Sequence, residues 1–181
     1  MPPLNKIFLE KLNENYMDYK CFVESGTYTG DTIFNMESLF DKLYTIEISE
    51  HFYKKTSSLY KGDKINFILG DSTKVFKYLL SSLNEKCIFF LDGHFSSGIT
   101  GKGEKDCPLN EEIELINKYF IHDAILIIDD YRLFGIKSNE DWSDINKEKI
   151  LSLIEGRIKK VYHLDSEYDA NDRLIIHIKS S

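Results

Sequence analysis

A chain of 181 residues with a net charge of −7 and an ordinary apolar share of 42% has room for one globular domain with a substantial core. The acidic balance argues against a protein built to grip a nucleic-acid backbone, and no window approaches the roughly eighteen uncharged apolar residues of a membrane span. Met1 to Lys6 leads into a charged amphipathic stretch and not an apolar signal region, so the expected location is the cytoplasm. Cys21, Cys87 and Cys107 are too few and too scattered for a disulfide framework or a zinc site; Cys107 lies in a polar loop, where it can be exposed, with no His or basic cluster near it in sequence.

Apolar periodicity predicts alternating strands and helices. Leu4, Ile7, Phe8 and Leu12 repeat at helical spacing, and Cys21-Phe22-Val23 then reads as a buried strand running into Glu24-Ser25-Gly26. A helix on Ile33, Phe34, Met36, Leu39 and Phe40 leads to a second strand, Leu43–Ile46. Ser49 is expected to cap a helix through Phe52, Tyr53, Thr56, Leu59 and Tyr60, before a third strand over Ile65–Leu69. Ser72 is expected to cap a helix burying Val75, Phe76, Leu79, Leu80 and Leu83; Ile88–Leu91 is the fourth strand. A helix on Leu109, Ile113, Ile116 and Phe120 precedes a fifth strand, Ala124–Ile128. Ile150, Leu151, Ile154 and Ile158 suggest a last helix, and Val161–Leu164 with Leu174–Ile178 an edge hairpin.

Continuous apolar strands are the habit of a parallel sheet covered on both faces. The expected fold is therefore α/β: a single Rossmann-like doubly wound domain over 1–181, mostly parallel, with a C-terminal antiparallel hairpin. Ligands of such sheets bind beyond the carboxyl ends of the strands. Glu24, Glu47, Asp71, Asp92, Asp129 and Asp130 all directly follow an apolar run. Strand ends are where polar residues ordinarily begin, but so many carboxylates in one rim repel one another unless a donor-rich ligand or a metal ion relieves them. Between the first strand and its helix, Glu24-Ser25-Gly26-Thr27-Tyr28-Thr29-Gly30-Asp31-Thr32 spaces two glycines as G-x-x-x-G behind an acid. That neighbourhood suits a ligand carrying an amino group better than the pyrophosphate of a G-x-G-x-x-G fingerprint.

These residues resemble the class I S-adenosylmethionine (SAM)-dependent methyltransferases over most of the chain. The resemblance implies that Glu24, Ser25, Gly26, Thr27, Gly30, Asp31 and Thr32 face the methionine part of SAM, that Glu47 holds its ribose, and that Asp71 and Ser72 contact adenine, with Asp92 beside them. Leu91-Asp92-Gly93 and Ile128-Asp129-Asp130-Tyr131 further resemble small Mg2+-dependent, macrocin-type sugar O-methyltransferases, which implies a metal set of Asp92, Asp129 and Asp130. The stretch Leu91–Gly98 with Gly101–Asp106 and Pro108 is similar to small methyltransferases of glycan-modification clusters. His94 stands where the macrocin-type enzymes commonly carry an acid. It is readable as the general base together with Asp92, as a metal ligand, or as an ordinary loop histidine. Asp129-Asp130 is likewise readable as a structural pair, one carboxylate capping the next turn.

The loop 95–108 is long enough to act as a lid or substrate wall, to which Glu104 and Asp106 would add contacts. Tyr131, Arg132 and Trp142 fall near the expected acceptor pocket, where a ring suits the apolar face of a sugar. The expected activity is methyl transfer from SAM to a hydroxyl of a small molecule, most simply a sugar or glycan end, with Mg2+ assistance left open. The expected partner is that acceptor, with no nucleic acid, no membrane, and a homodimer left open. The rivals are a metal-dependent hydrolase using Asp92, His94, Asp129 and Asp130, a nicotinamide-dependent oxidoreductase, and a non-catalytic SAM-binding module.

Overall fold

Strict alternation of side chains along a strand sends Phe89 and Leu91 to one side of the sheet and Ile88 and Phe90 to the other, and both sides are buried. The computed structural model describes residues 3–95, 101 and 103–181. In chain order these form α1 (Lys6–Leu9), β1 (Cys21–Ser25), α2 (Asp31–Met36), β2 (Lys42–Glu47), α3 (Glu50–Leu59), β3 (Ile65–Leu69) and α4 (Ser72–Leu79). Then come β4 (Cys87–Leu91), α5 (Leu109–Tyr119), β5 (Ala124–Ile128), α6 (Lys147–Leu153), β6 (Ile158–Leu164) and β7 (Arg173–Ile178).

The strands make one sheet in the order β3-β2-β1-β4-β5-β7-β6. Neighbours from β3 to β5 are parallel, and β7 runs antiparallel to both β5 and β6, so the expected edge hairpin is present. One core layer joins Phe76, Phe89, Ile113, Ile116, Leu126 and Ile176; the other joins Leu4, Phe8, Phe22, Ile33, Phe90 and Ile127. Strand order reverses between β1 and β4, which opens a crevice at their carboxyl ends.

Four expectations need correction. The opening helix is one turn: Asn5 Oδ1 caps it by accepting from Phe8 N at 3.0 Å, Asn15 draws the chain into a second turn, and Leu4 and Leu12 are buried from outside the helix. Asp71, not Ser72, caps α4, because its carboxylate accepts from Thr73 N at 2.9 Å while Ser72 is already helical. The last helix stops at Leu153, and β6 starts at Ile158, not Val161. There the Arg157 guanidinium donates to the carbonyls of Phe120 at 2.6 Å and His122 at 2.8 Å, pinning the chain to the sheet. Cys107 is 3% exposed and belongs to the core; burial pushes its thiol well above the ordinary range.

Candidate active site

Loops leaving β1, β2, β3, β4 and β5 surround a cavity of about 820 Å³, within the range of small-molecule sites. Its position follows from the β1–β4 crossing. Gly26 has a φ of +87°, and a Cβ there would lie 2.6 Å from the carbonyl oxygen of Asp92. Only glycine lets these two strand ends approach so closely. Gly30, at φ +86°, opens α2, where a Cβ would meet the Thr56 methyl at 2.5 Å.

Of the residues expected to face a cofactor, Glu24, Gly26, Thr27, Asp31, Thr32, Glu47, Asp71, Ser72 and Asp92 line this cavity. Ser25 and Gly30 do not. The Ser25 side chain is buried behind the wall near Gly93 and Glu112. Glu24 is 2% exposed and accepts from Thr45 Oγ1 at 2.7 Å; burial pushes its carboxyl up to about 8. Glu47 Oε2 accepts from Tyr28 N and Oε1 from Ser49 N, both at 2.8 Å. Each of its oxygens is thereby fixed and keeps a further lone pair. Tyr28, held at φ +46°, packs its ring on Phe52 at 4.6 Å, and both rings line the cavity.

The other half of the cavity centres on His94, whose side chain is 5% exposed. Its Nδ1 lies 3.5 Å from Asp92 Oδ1 and its Nε2 lies 3.4 Å from Asp130 Oδ2, with Glu140 Oε2 at 4.0 Å. The Trp142 ring stands edge-on at 4.8 Å between centroids. Burial, and then the Arg132 charge, lower the His94 pKa to about 4, so the imidazole is neutral near pH 7. Burial, and then the charges of Asp129, Asp130 and Glu24, raise Asp92 well above the ordinary carboxylate range. Asp130 is pushed up to about 6 by burial and Asp129, against the pull of Arg132.

Asp129 takes a different direction. It is buried and does not line the cavity; Arg173 grips it, Nε to Oδ1 at 3.1 Å and Nη2 to Oδ2 at 3.3 Å. Asp130 follows in the left-handed region at φ +58°, which turns it back toward His94. Arg132 Nη1 reaches Asp130 Oδ1 at 2.7 Å and also pairs with Asp172. Arg132 lines the cavity, whereas Tyr131 and Trp142 do not. Tyr131 packs on Phe134 and His163, and Phe95, beside His94, is a ring on this half of the cavity wall.

From the 95–108 loop, Phe95, Gly101, Gly103, Glu104, Lys105 and Pro108 form part of that wall. Asp106 instead holds Asp141 N at 3.0 Å, and Ser96, Ser97, Gly98 and Lys102 lie outside the described residues. Pattern reading missed Glu112, which is 1% exposed beneath the cavity between Ser25 and Ser72 and is pushed up to about 7 by burial. It also missed Arg173; an arginine opening an otherwise apolar strand was the available signal.

No protein-family model matches the chain, and no curated protein matches it in sequence. The solved structures that it resembles in three dimensions include methyltransferases. A candidate caffeoyl-CoA O-methyltransferase from Staphylococcus aureus superposes with a TM-score of 0.63 at 15% identity, over 99% of this chain and 86% of that one. The N-methyltransferase NodS from Bradyrhizobium japonicum WM9, in complex with S-adenosyl-l-homocysteine (SAH), gives 0.57 at 10% identity, over 96% and 90%. An rRNA methylase from Streptococcus thermophilus gives 0.54 at 18% identity, over 91% and 89%. The fold is that of the SAM-dependent methyltransferases. Because an rRNA methylase shares it, the fold does not by itself exclude nucleic acid, and that expectation rests on charge alone. No helix among the described residues is long and apolar enough to cross a membrane.

Proposed function

We propose that this protein is a SAM-dependent O-methyltransferase acting on a hydroxyl of a small molecule, most simply a sugar or glycan end. The observation that carries the reading is that one cavity holds both halves of such a site, an acidic cofactor wall and a buried proton acceptor. Glu24, protonated at neutral pH because it is buried, gains a counter-charge from a ligand ammonium. Glu47, fixed by two backbone N–H groups, is placed to accept from a vicinal diol. Asp71 and Ser72 continue the wall toward the base. SAM, when bound, supplies a methyl group on a sulfonium, open to in-line displacement by an oxygen.

An oxygen acceptor is favoured over nitrogen because a hydroxyl must lose a proton to become a nucleophile, and the acceptor half is built around groups that take protons. His94 is neutral and contacts two carboxylates that stabilise the imidazolium as it forms. Phe95 offers a face to the apolar side of a sugar ring, and Glu140 and Arg132 border the same space. A divalent cation, when bound beside Asp92 and Asp130, supplies a charge that stabilises the alkoxide. The same carboxylate–imidazole group favours one second reading, a metal-dependent hydrolase.

The deciding experiment is SAH binding by calorimetry on the wild type and Glu47→Ala. Micromolar binding weakened about 10- to 100-fold by the substitution supports the reading, since charged hydrogen bonds contribute about 1.5–3 kcal/mol each. No SAH binding by the folded wild type removes it and brings the hydrolase forward.

A further inference from the structure

The inward face of α5 is apolar at Leu109, Ile113 and Ile116, yet it carries a buried acid among them. Glu112 is 1% exposed and stands in the first turn of the helix, where unpaired N–H groups favour a negative charge. Burial pushes its carboxyl up to about 7, opposed by the hydroxyls of Ser72, the first residue of α4, and Ser25, the last of β1. The end of β4 closes over the same spot. A Cβ on Gly93 would lie 3.0 Å from Ser25 Oγ and 3.3 Å from Glu112 Oε1, and Asp92 N donates to the Ser25 carbonyl at 3.3 Å. Three turns that leave the sheet beside the cavity therefore meet at one buried carboxyl. Neither Ser25 Oγ nor Glu112 Oε1 has a full hydrogen bond among the described residues, which leaves the contact between the two side chains as their compensation for burial.

We propose that Glu112 is a positioning residue for the cofactor half of the cavity, its carboxyl tying the Ser25 and Ser72 turns together beneath Gly93. Glu112 itself does not line the cavity, and neither does Ser25. The neighbours of Ser25, Glu24 and Gly26, do line it, as do Asp71, Ser72 and Thr73 on the other turn. The carboxyl therefore acts through the two serines on the groups that face the ligand. Packing alone does not call for an acid at this place, because an apolar side chain would continue the face of α5 without a carboxyl to desolvate. A tie between two hydroxyls does call for one, since hydrogen bonds fix direction and apolar contacts do not. The consequence for the cofactor rests on the proposed function; the tie between the two turns does not.

The test compares Glu112→Leu, Glu112→Gln and Ser25→Ala with wild type by melting temperature, SAH calorimetry and amide hydrogen exchange. Glu112→Leu should stay folded yet bind SAH at least about tenfold more weakly, the equivalent of one lost hydrogen bond. The amides of 26–30 and 72–74 should exchange faster in that variant. Glu112→Gln keeps an oxygen for the hydroxyls and should hold the affinity within about threefold of wild type, with wild-type exchange. Ser25→Ala should weaken SAH binding although its side chain is off the cavity, and its loss should not add in full to that of Glu112→Leu. The proposal is overturned if a folded Glu112→Leu keeps wild-type exchange and affinity, or if Glu112→Gln is impaired as badly as Glu112→Leu. Should Glu112→Leu unfold, a Ser25→Ala variant with wild-type exchange overturns it instead. A wild type that binds no SAH sinks the methyltransferase reading alone, since the exchange comparison still decides whether Glu112 ties the turns.

Discussion

Glu24→Gln probes the proposed cofactor wall without moving it. The carboxyl is 2% exposed, and burial, opposed in part by the Thr45 hydrogen bond, raises its pKa from 4.5 to about 8. A pKa raised on folding means that the folded state holds the proton more tightly than the unfolded one. The stabilisation is complete below pH about 4.5, declines through the window up to about 8, and is fully lost above it. At about 1.4 kcal/mol per pH unit, the loss reaches about 3–5 kcal/mol. A glutamine keeps the oxygen that accepts from Thr45 and cannot ionise. Urea denaturation should therefore give matching stabilities for variant and wild type near pH 4.5, and a variant more stable by several kcal/mol near pH 8.5. An ammonium-bearing ligand reverses the preference of Glu24 for its proton. Calorimetry in buffers of different ionisation enthalpy should show SAH binding near pH 7 releasing close to one proton from wild type, and less from the variant. Superimposed stability profiles, or a wild type that is the more stable near pH 8.5, would refute the reasoning.

Other substitutions probe the frame around the site. Gly26→Ala forces a side chain into the left-handed region and within 2.6 Å of the Asp92 carbonyl oxygen. It should cost at least about 2 kcal/mol in denaturant melts and weaken SAH binding at least about tenfold. Arg173→Leu leaves the Asp129 carboxylate buried without its cation and should cost about 3–5 kcal/mol, with Arg173→Leu/Asp129→Leu recovering part of that loss in a double-mutant cycle. Cys107, buried beneath the loop wall, should react with a thiol reagent only under denaturing conditions. Rapid native labelling of Cys107, mapped by peptide mass spectrometry, would contradict its packing.

The strands were readable because a parallel strand buried on both faces is written as an uninterrupted apolar run: Cys87-Ile88-Phe89-Phe90-Leu91 and Ala124-Ile125-Leu126-Ile127-Ile128 admit few other readings. The rim acids were readable for the same reason, since each marks where such a run stops. What pattern could not show was which way each acid turns. Asp129 and Asp130 are adjacent, yet the positive φ at Asp130 separates them, one toward Arg173 under the sheet end and one toward His94. Glu112 was invisible because Asn110-Glu111-Glu112 looks like a solvated first helical turn, and only its packing against Ser25 at the end of β1 and Ser72 at the start of α4 buries its third member. Ile158 was placed in a helix by its spacing from Ile154, a signal outweighed by the carbonyl contacts of Arg157. Propensity is local, and such contacts are not.

The six rim carboxylates are equivalent as letters and differ as molecules. Glu47 is held by two backbone amides, Asp71 caps α4, and Asp129 is neutralised by Arg173, so each is accommodated within the fold. Glu24 has a single hydroxyl donor among the described residues and is accommodated by keeping its proton. Asp130 is half satisfied, with Oδ1 on Arg132 and Oδ2 on His94. Asp92 Oδ1 is buried without a hydrogen bond among the described residues and lies 3.5 Å from the imidazole. Among the described residues, the carboxyl groups least satisfied by hydrogen bonds or ion pairs thus lie in two places of one cavity, at Glu24 and at Asp92 beside Asp130. An amino-bearing cofactor meets the first, and a proton or a divalent cation meets the second. On the proposed function, that separation puts cofactor binding on the β1 side of the crevice and proton chemistry on the β4–β5 side, with Gly26 and the Asp92 carbonyl between them.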